Sequence, residues 1–250
     1  MVHFPWQYPV LLVCGSLAGF LNVMAGGGSL ITLPLLIFLG LPAAVANGTN
    51  RVAIFFQNIF AIGGFRRQGV FPIRLALLCT VPALVGSYWG ANLAVTIDDA
   101  LFKRLLAGIM IGVLIFTLVD PVRRWGHPVG GMTPLRRAFL ILVFFGVGVY
   151  GGFVQAGVGF IVISGLLAYG LDLVRINAVK VIVVFSFTLI ALGVFIFHGE
   201  INYAMGLALA AGNSIGGLIA TRVAVRKGHD WIKKMVSATV LIFALKLLFG

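Results

Sequence analysis

"AGGGSLITLPLLIFLGLPAAVANGTNRVAIFFQ", residues 25–57, sets the terms on which the rest of the chain is read. Three consecutive glycines, Gly26, Gly27 and Gly28, stand where one apolar run ends and another begins, and no helix runs comfortably through them. Ser29 follows, Pro34 lies five residues further on, and then Asn47, Thr49, Asn50 and Arg51 crowd into otherwise apolar surroundings. The pattern predicts a broken pair of helices. The second is short, starts at Ser29, and leaves its N-terminal amides free. Such an end carries partial positive charge and unpaired N–H groups, which suits an anion.

The surroundings of this stretch are those of a membrane protein. Of 250 residues, 61% are hydrophobic and only 10% are charged, against about 25% charged in soluble domains; the mean hydropathy is +1.12. Ten apolar segments follow one another, at 8–25, 28–41, 43–65, 72–95, 100–119, 137–153, 158–171, 173–197, 202–225 and 231–249. Several reach the roughly 20 residues that cross a bilayer, whereas the second and seventh do not. The expectation is an all-α polytopic protein with no soluble domain. The net charge of +12 sits in short connections, where topology and anionic lipid attract Lys and Arg, so membrane lipid rather than nucleic acid is the expected partner. No Lys or Arg precedes the first apolar run, so that run is read as a retained segment and not as a secretory signal. Cys14 and Cys79 fall inside apolar segments, where cysteine is a small hydrophobe. No disulfide framework, metal site or cofactor is expected.

The chain repeats itself. Shifted by 130 positions, Gly27 meets Gly157, Gly40-Leu41 meets Gly170-Leu171, Asn47 meets Asn177, Phe55 meets Phe185, Gly63 meets Gly193, Gly69 meets Gly199, Gly86 meets Gly216 and Lys103 meets Lys233. The expected organisation is a first repeat at 1–120, a cytoplasmic linker at 121–136 and a second repeat at 137–250, each of about five segments with the first two short or broken. The basic "RRQG" at 66–69 corresponds to "FHGE" at 197–200, which has no Lys or Arg; the acidic "VTIDDA" at 95–100 corresponds to the basic "VRKGHD" at 225–230. Equivalent loops of opposite bias belong on opposite sides of the membrane, which predicts an inverted-topology repeat with both termini outside. Glycines such as Gly63, Gly64, Gly86, Gly90, Gly216 and Gly217 read as close helix packing.

The second half offers "QAGVGFIVIS", residues 155–164, as counterpart to the glycine break, so Gln155, Gly157 and Gly159 join the candidate site. Asn177 overlays Asn47, and Lys180 falls one position from the equivalent of Arg51. Each cation sits about two turns into its helix, roughly 12 Å deep by the helical rise, where an ionised group marks a cavity or a substrate path. All six carboxylates, Asp98, Asp99, Asp120, Asp172, Glu200 and Asp230, lie in or beside connections. None is placed to neutralise Arg51 or Lys180, so the missing anion is read as the substrate. Gln57, Asn58 and Ser186 are placed to add neutral hydrogen bonds. The four histidines are peripheral too, and no Ser/His pair, paired Asp or zinc motif falls within the apolar segments, so no enzyme is expected.

At these residues the sequence resembles the sulfite exporter TauE/SafE family of bacterial anion permeases, from about Val10 to Leu248. The likeness is carried by residues 25–58 and, more weakly, by "GVYGGFVQAGVGFIVISGLLAYGLDLVRINAVKV" at 148–181. The resemblance implies movement of sulfite, sulfoacetate, other sulfonates or small organic anions across the inner membrane, often outward, without ATP. Gly26, Gly27, Gly28, Pro34, Asn47, Thr49 and Asn50 match its first motif. The second half departs from it, with Val158 where a further glycine would fit and Ser164 in place of Pro34.

The expectation is therefore a carrier that binds a small anion between its halves by alternating access. Its binding residues are Gly26, Gly27, Gly28, Ser29, Asn47, Thr49, Asn50, Arg51, Gln57, Gln155, Gly157, Gly159, Asn177 and Lys180. An anion channel with the same lining and a non-transporting membrane scaffold are the alternatives. A homo-oligomer is compatible with the sequence, and segments 1–2 and 6–7 are read as either spanning the bilayer or re-entering it.

Overall fold

The computed structural model describes residues 6–118, 133–167 and 171–249, and these form helices joined by short connections, with no strand among the described residues. In chain order the helices are α1 (Gln7–Met24), α2 (Ser29–Phe38), α3 (Ala43–Arg67), α4 (Ile73–Thr96), α5 (Asp99–Leu118), α6 (Pro134–Phe153), α7 (Val158–Leu167), α8 (Leu173–Phe197) and α9 (Tyr203–Phe249). The last is broken at Gly228, where φ is 73°.

Among the described residues five stretches are long and apolar enough to cross a bilayer: α1, α4, α6, α8 and the part of α9 from Tyr203 to Ile232. The chain is a multi-pass membrane protein. α3 equals α8 in length, 25 residues each, but Asn47, Asn50, Arg51, Gln57 and Asn58 lower its hydropathy. Only the second member of each broken pair is short. α2 and α7 have 10 residues each, about 15 Å of helix, whereas α1 and α6 suffice to span. Most of the linker expected at 121–136 lies outside the described residues. Its end is helical sooner than expected: α6 begins at Pro134, and the Thr133 hydroxyl accepts from Arg136 N. Pro at the first helical position after a threonine cap is a strong start signal, and it places Arg136 and Arg137 in the first turn of α6.

Helix starts recur along the chain. α3 and α8 begin at residues 43 and 173, α4 and α9 at 73 and 203. The contacts are exchanged in the same way: α1 packs along α9, and α4 along α6. Both seams bring backbone against backbone. A Cβ on Gly86 would stand 2.2 Å from Phe145 O and one on Gly90 1.9 Å from Val149 O, while on the other seam a Cβ on Gly216 would stand 1.9 Å from Ser16 O. Where no hydrophobic effect drives helices together, such close approach supplies the association. Gly64 and Gly217 are packed as well, against Thr221 and Gln57, but Gly63 faces nothing within 4 Å, so packing does not account for it.

α3 and α8 meet at the centre, where Phe55 stacks on Phe185. The start of α3 lies beside the α8–α9 connection: Gly48 approaches Glu200 O, and Thr49 Oγ1 accepts from Asn202 N at 2.9 Å. The start of α8 shares a surface pocket with residues 69–75, the α3–α4 connection and the first turn of α4. The two helices therefore run in opposite directions. Their first amides are capped from equivalent places. Ala43 N donates to Asp99 Oδ1 at 2.5 Å, and Leu173 N donates to His229 Nδ1 at 3.2 Å.

Candidate functional site

The two short helices begin side by side at the glycine breaks. Gly26 (φ 87°) and Gly159 touch through their backbones: a Cβ on Gly26 would stand 2.3 Å from Gly159 Cα, and one on Gly159 2.2 Å from Gly26 Cα. Gly27 O accepts the Leu30 amide and Gly157 O the Phe160 amide, both at 3.0 Å. Ile31 N also bonds Gly28 O. The free set of N-terminal amides expected at α2 is thus smaller than four, because its first turn tightens into i→i−3 bonds.

Just before each break, a spanning helix ends with unpaired carbonyls, and a buried cation from the opposite half takes them. Arg51, fully buried, donates from Nη1 to Gly151 O at 3.0 Å and from Nη2 to Gly152 O at 2.5 Å, at the end of α6. Its neighbour Asn47 donates to Phe153 O at 2.7 Å. Lys180, 2% exposed, donates to Asn22 O at 3.0 Å and Val23 O at 2.7 Å, at the end of α1. Asn177 donates to Met24 O at 3.2 Å and accepts from Lys180 at 2.7 Å. The last carbonyls of a helix carry partial negative charge, and a cation there is stabilising. The partner that Arg51 and Lys180 were expected to find only in a substrate is supplied in part by these carbonyl oxygens. No described carboxylate reaches either cation, and Asp120 lies outside the described residues. Arg51 also lies 4.9 Å from the centre of the Phe195 ring.

The rest of the polar cluster on α3 fastens helices. Thr32 Oγ1 donates to Asn50 Oδ1 at 2.7 Å, while Thr49 binds the α8–α9 connection as described. Asn50 Nδ2 and Arg51 Nε are buried with no partner.

Beside these clamps is a tight cavity of about 10 Å³, lined by Asn22, Ser29, Ile54, Gln57, Asn58, Gln155, Val158, Gly159, Lys180, Val181 and Val184, which is about the room of one water molecule. Of the residues singled out from the sequence, it gathers Ser29, Gln57, Asn58, Gln155, Gly159 and Lys180. Gly26, Gly27, Gly28, Asn47, Thr49, Asn50, Arg51, Gly157 and Asn177 hold the surrounding backbone and do not line it. Ser186 bonds Ile182 O within its own helix. Asn22 was missed; its only sequence signal is a lone amide four residues before the glycine triplet.

Charge and hydrogen bonds come from different residues here. All three Lys180 protons already have acceptors, so Lys180 contributes mainly its field. Unspent donors belong to neutral amides. Asn22 Nδ2 donates one bond, to Gln57 Oε1 at 3.2 Å, and Asn58 Nδ2 one bond, to Ile54 O at 2.9 Å; each amide nitrogen has a second N–H. Both short helices present their first residues, Ser29 and Val158-Gly159, to the same space. The cavity is thus cationic, free of carboxylates and supplied with amide donors, and in this conformation it is closed to about the size of a water molecule.

Comparison with known proteins finds relatives among membrane transporters. The family described as "Sulfite exporter TauE/SafE" matches residues 11–247. The chain is similar to a "Probable membrane transporter protein" of Haemophilus influenzae, 27% identical over 96% of this chain and 94% of that one. It is also similar to "Probable membrane transporter protein ORF9" of Sinorhizobium sp, 26% identical over 95% and 91% of the two chains. "Probable membrane transporter protein YfcA" of Escherichia coli K12 is 26% identical over 98% and 91%. No solved structure matches.

Proposed function

The chain belongs to the sulfite exporter TauE/SafE family, and from that premise we propose that it is a secondary transporter of small sulfur-containing anions, such as sulfite, sulfoacetate or other sulfonates, across the bacterial inner membrane. Export by alternating access between two inverted halves, with both termini outside, completes the proposal. The observation that carries it is the cavity between the halves, where Lys180 supplies positive charge beside the amides of Asn22, Gln57, Asn58 and Gln155 with no carboxylate in its lining. The inverted arrangement is supported by the opposed directions of α3 and α8 and by the exchanged clamps: Arg51 holds the end of α6, and Lys180 the end of α1. Broken helices whose ends meet at a shared site are the usual construction of such carriers.

The test is transport into liposomes containing the purified protein. Saturable sulfite or sulfonate flux, accelerated by unlabelled anion on the far side, is expected of a carrier. Flux without saturation or counterflow points to a channel, and absence of any anion flux from folded protein rejects both.

A further inference from the structure

Gln155 is the only non-glycine residue at positive φ among the described residues, at 65°. It stands in the connection between α6 and α7. In the first half, the residue in the corresponding place, the second after the helix end, is Gly26 at φ 87°. A glycine takes that conformation without penalty, and a glutamine does not. The local backbone therefore favours glycine, and a strained side chain at such a position points to a use for the side chain.

That side chain is 1% exposed and lines the cavity. Its Oε1 faces the Arg51 guanidinium, 3.5 Å from Nη1, and its Nε2 donates to Thr188 Oγ1 at 2.6 Å. A carboxamide with its oxygen turned to a cation presents its NH2, the positive end, on the opposite side. One N–H goes to Thr188, and the other remains for the cavity. Arg51 does not line the cavity, so Gln155 is the group through which its charge polarises a donor there.

Resting on the anion-transport reading, we infer that Gln155 is the specificity-determining residue of the site, and that the class it selects is a small oxoanion. One substrate oxygen accepts from Gln155 Nε2 while the negative charge lies in the field of Lys180. A halide ion meets the same charge but has no oxygen to place against the directional amide donors.

The test is anion-induced thermal stabilisation of the purified full chain, with methanesulfonate and chloride as probes at matched ionic strength, in the wild type and in Gln155→Gly and Gln155→Glu. The wild type is expected to bind methanesulfonate at least tenfold more tightly than chloride. Gln155→Gly is expected to melt no lower than wild type without ligand, because backbone strain is relieved, yet to lose at least tenfold in methanesulfonate affinity with chloride little changed. Gln155→Glu, which puts a carboxylate where the anion sits, is expected to abolish binding of both. Undiminished methanesulfonate preference in Gln155→Gly overturns the inference and leaves the transport reading standing. A lower unliganded melting temperature in Gln155→Gly overturns it too, because the carboxamide is then a fastener. No response of the wild type to any oxoanion removes the transport reading and this inference with it.

Discussion

Phe55 stacks on Phe185 with 5.3 Å between ring centroids and 26° between planes, and the two residues are 130 positions apart. A residue can touch its own counterpart only where an axis relating two repeats passes through the chain. Arg51 precedes Phe55 by four residues and Lys180 precedes Phe185 by five, so both clamps stand close to that contact.

Arg51→Ala is expected to destabilise the protein strongly. It strands the Gly151 and Gly152 carbonyls in a dry interior, at about 1–3 kcal/mol for each unsatisfied group. Thermal unfolding in detergent measures this, and a loss below 1 kcal/mol would mean the clamp contributes little. Arg51→Lys keeps the charge and is expected to recover part of the loss, but one ammonium lacks the fixed fork that serves two carbonyls at once.

Gly159→Ala is expected to prevent accumulation of monodisperse protein, since its Cβ would stand 2.2 Å from Gly26 Cα and neither backbone has room to yield. Gly63→Ala is the control. Nothing lies within 4 Å of that position, and alanine is the better helix former by about 1 kcal/mol. Size-exclusion profiles of the two variants, made side by side, check both statements.

Acid is expected to weaken the start of α3. The Asp99 carboxyl is held below the usual carboxylate range, first by the hydrogen bond from Lys103 and then by the one from Ala43 N. A lowered folded value means stability that is present above the unfolded pKa of about 3.9 and lost as pH falls through the folded one. Melting temperatures of wild type and Asp99→Asn should differ by a constant amount at neutral pH and converge below about pH 4. A difference that persists in acid would show that the carboxylate charge is not responsible.

Opposite-side labelling tests the inverted arrangement. With Cys14 and Cys79 replaced by alanine, a membrane-impermeant thiol reagent applied to sealed vesicles should reach Arg67→Cys and His198→Cys from opposite faces. Labelling of both from one face would reject the two-half topology.

Much of the fold was legible because its signals are local. The glycine triplet marks the start of α2 at Ser29, and the constant offset of 130 anticipates the recurring helix starts of α3 and α8 and of α4 and α9. The partners of Arg51 and Lys180 were not legible. A carbonyl oxygen belongs to every residue, so no sequence pattern distinguishes Gly151 and Gly152 as acceptors for a guanidinium 100 residues away. For the same reason Asn47, Thr49 and Asn50 read as one binding cluster, although the structure engages Asn47 with a helix end, Thr49 with a connection and the Asn50 oxygen with Thr32. Asn22 escaped because a single amide in an apolar run has no spacing to give it away. The strain at Gln155 is a property of φ, which the sequence offers only as a glutamine beside glycines.

The reciprocal clamps also impose an order on biosynthesis. Lys180 leaves the ribosome when its acceptors, Asn22 and Val23, have existed for more than 150 residues of synthesis. Arg51 has no such luck: it must enter the bilayer while Gly151 and Gly152 are still unmade. Until α6 arrives, that guanidinium has to stay near the headgroups, in the insertion machinery or in a thinned patch of lipid. The first half is thus a nascent chain held open, and its seating is completed only when the second half closes on it.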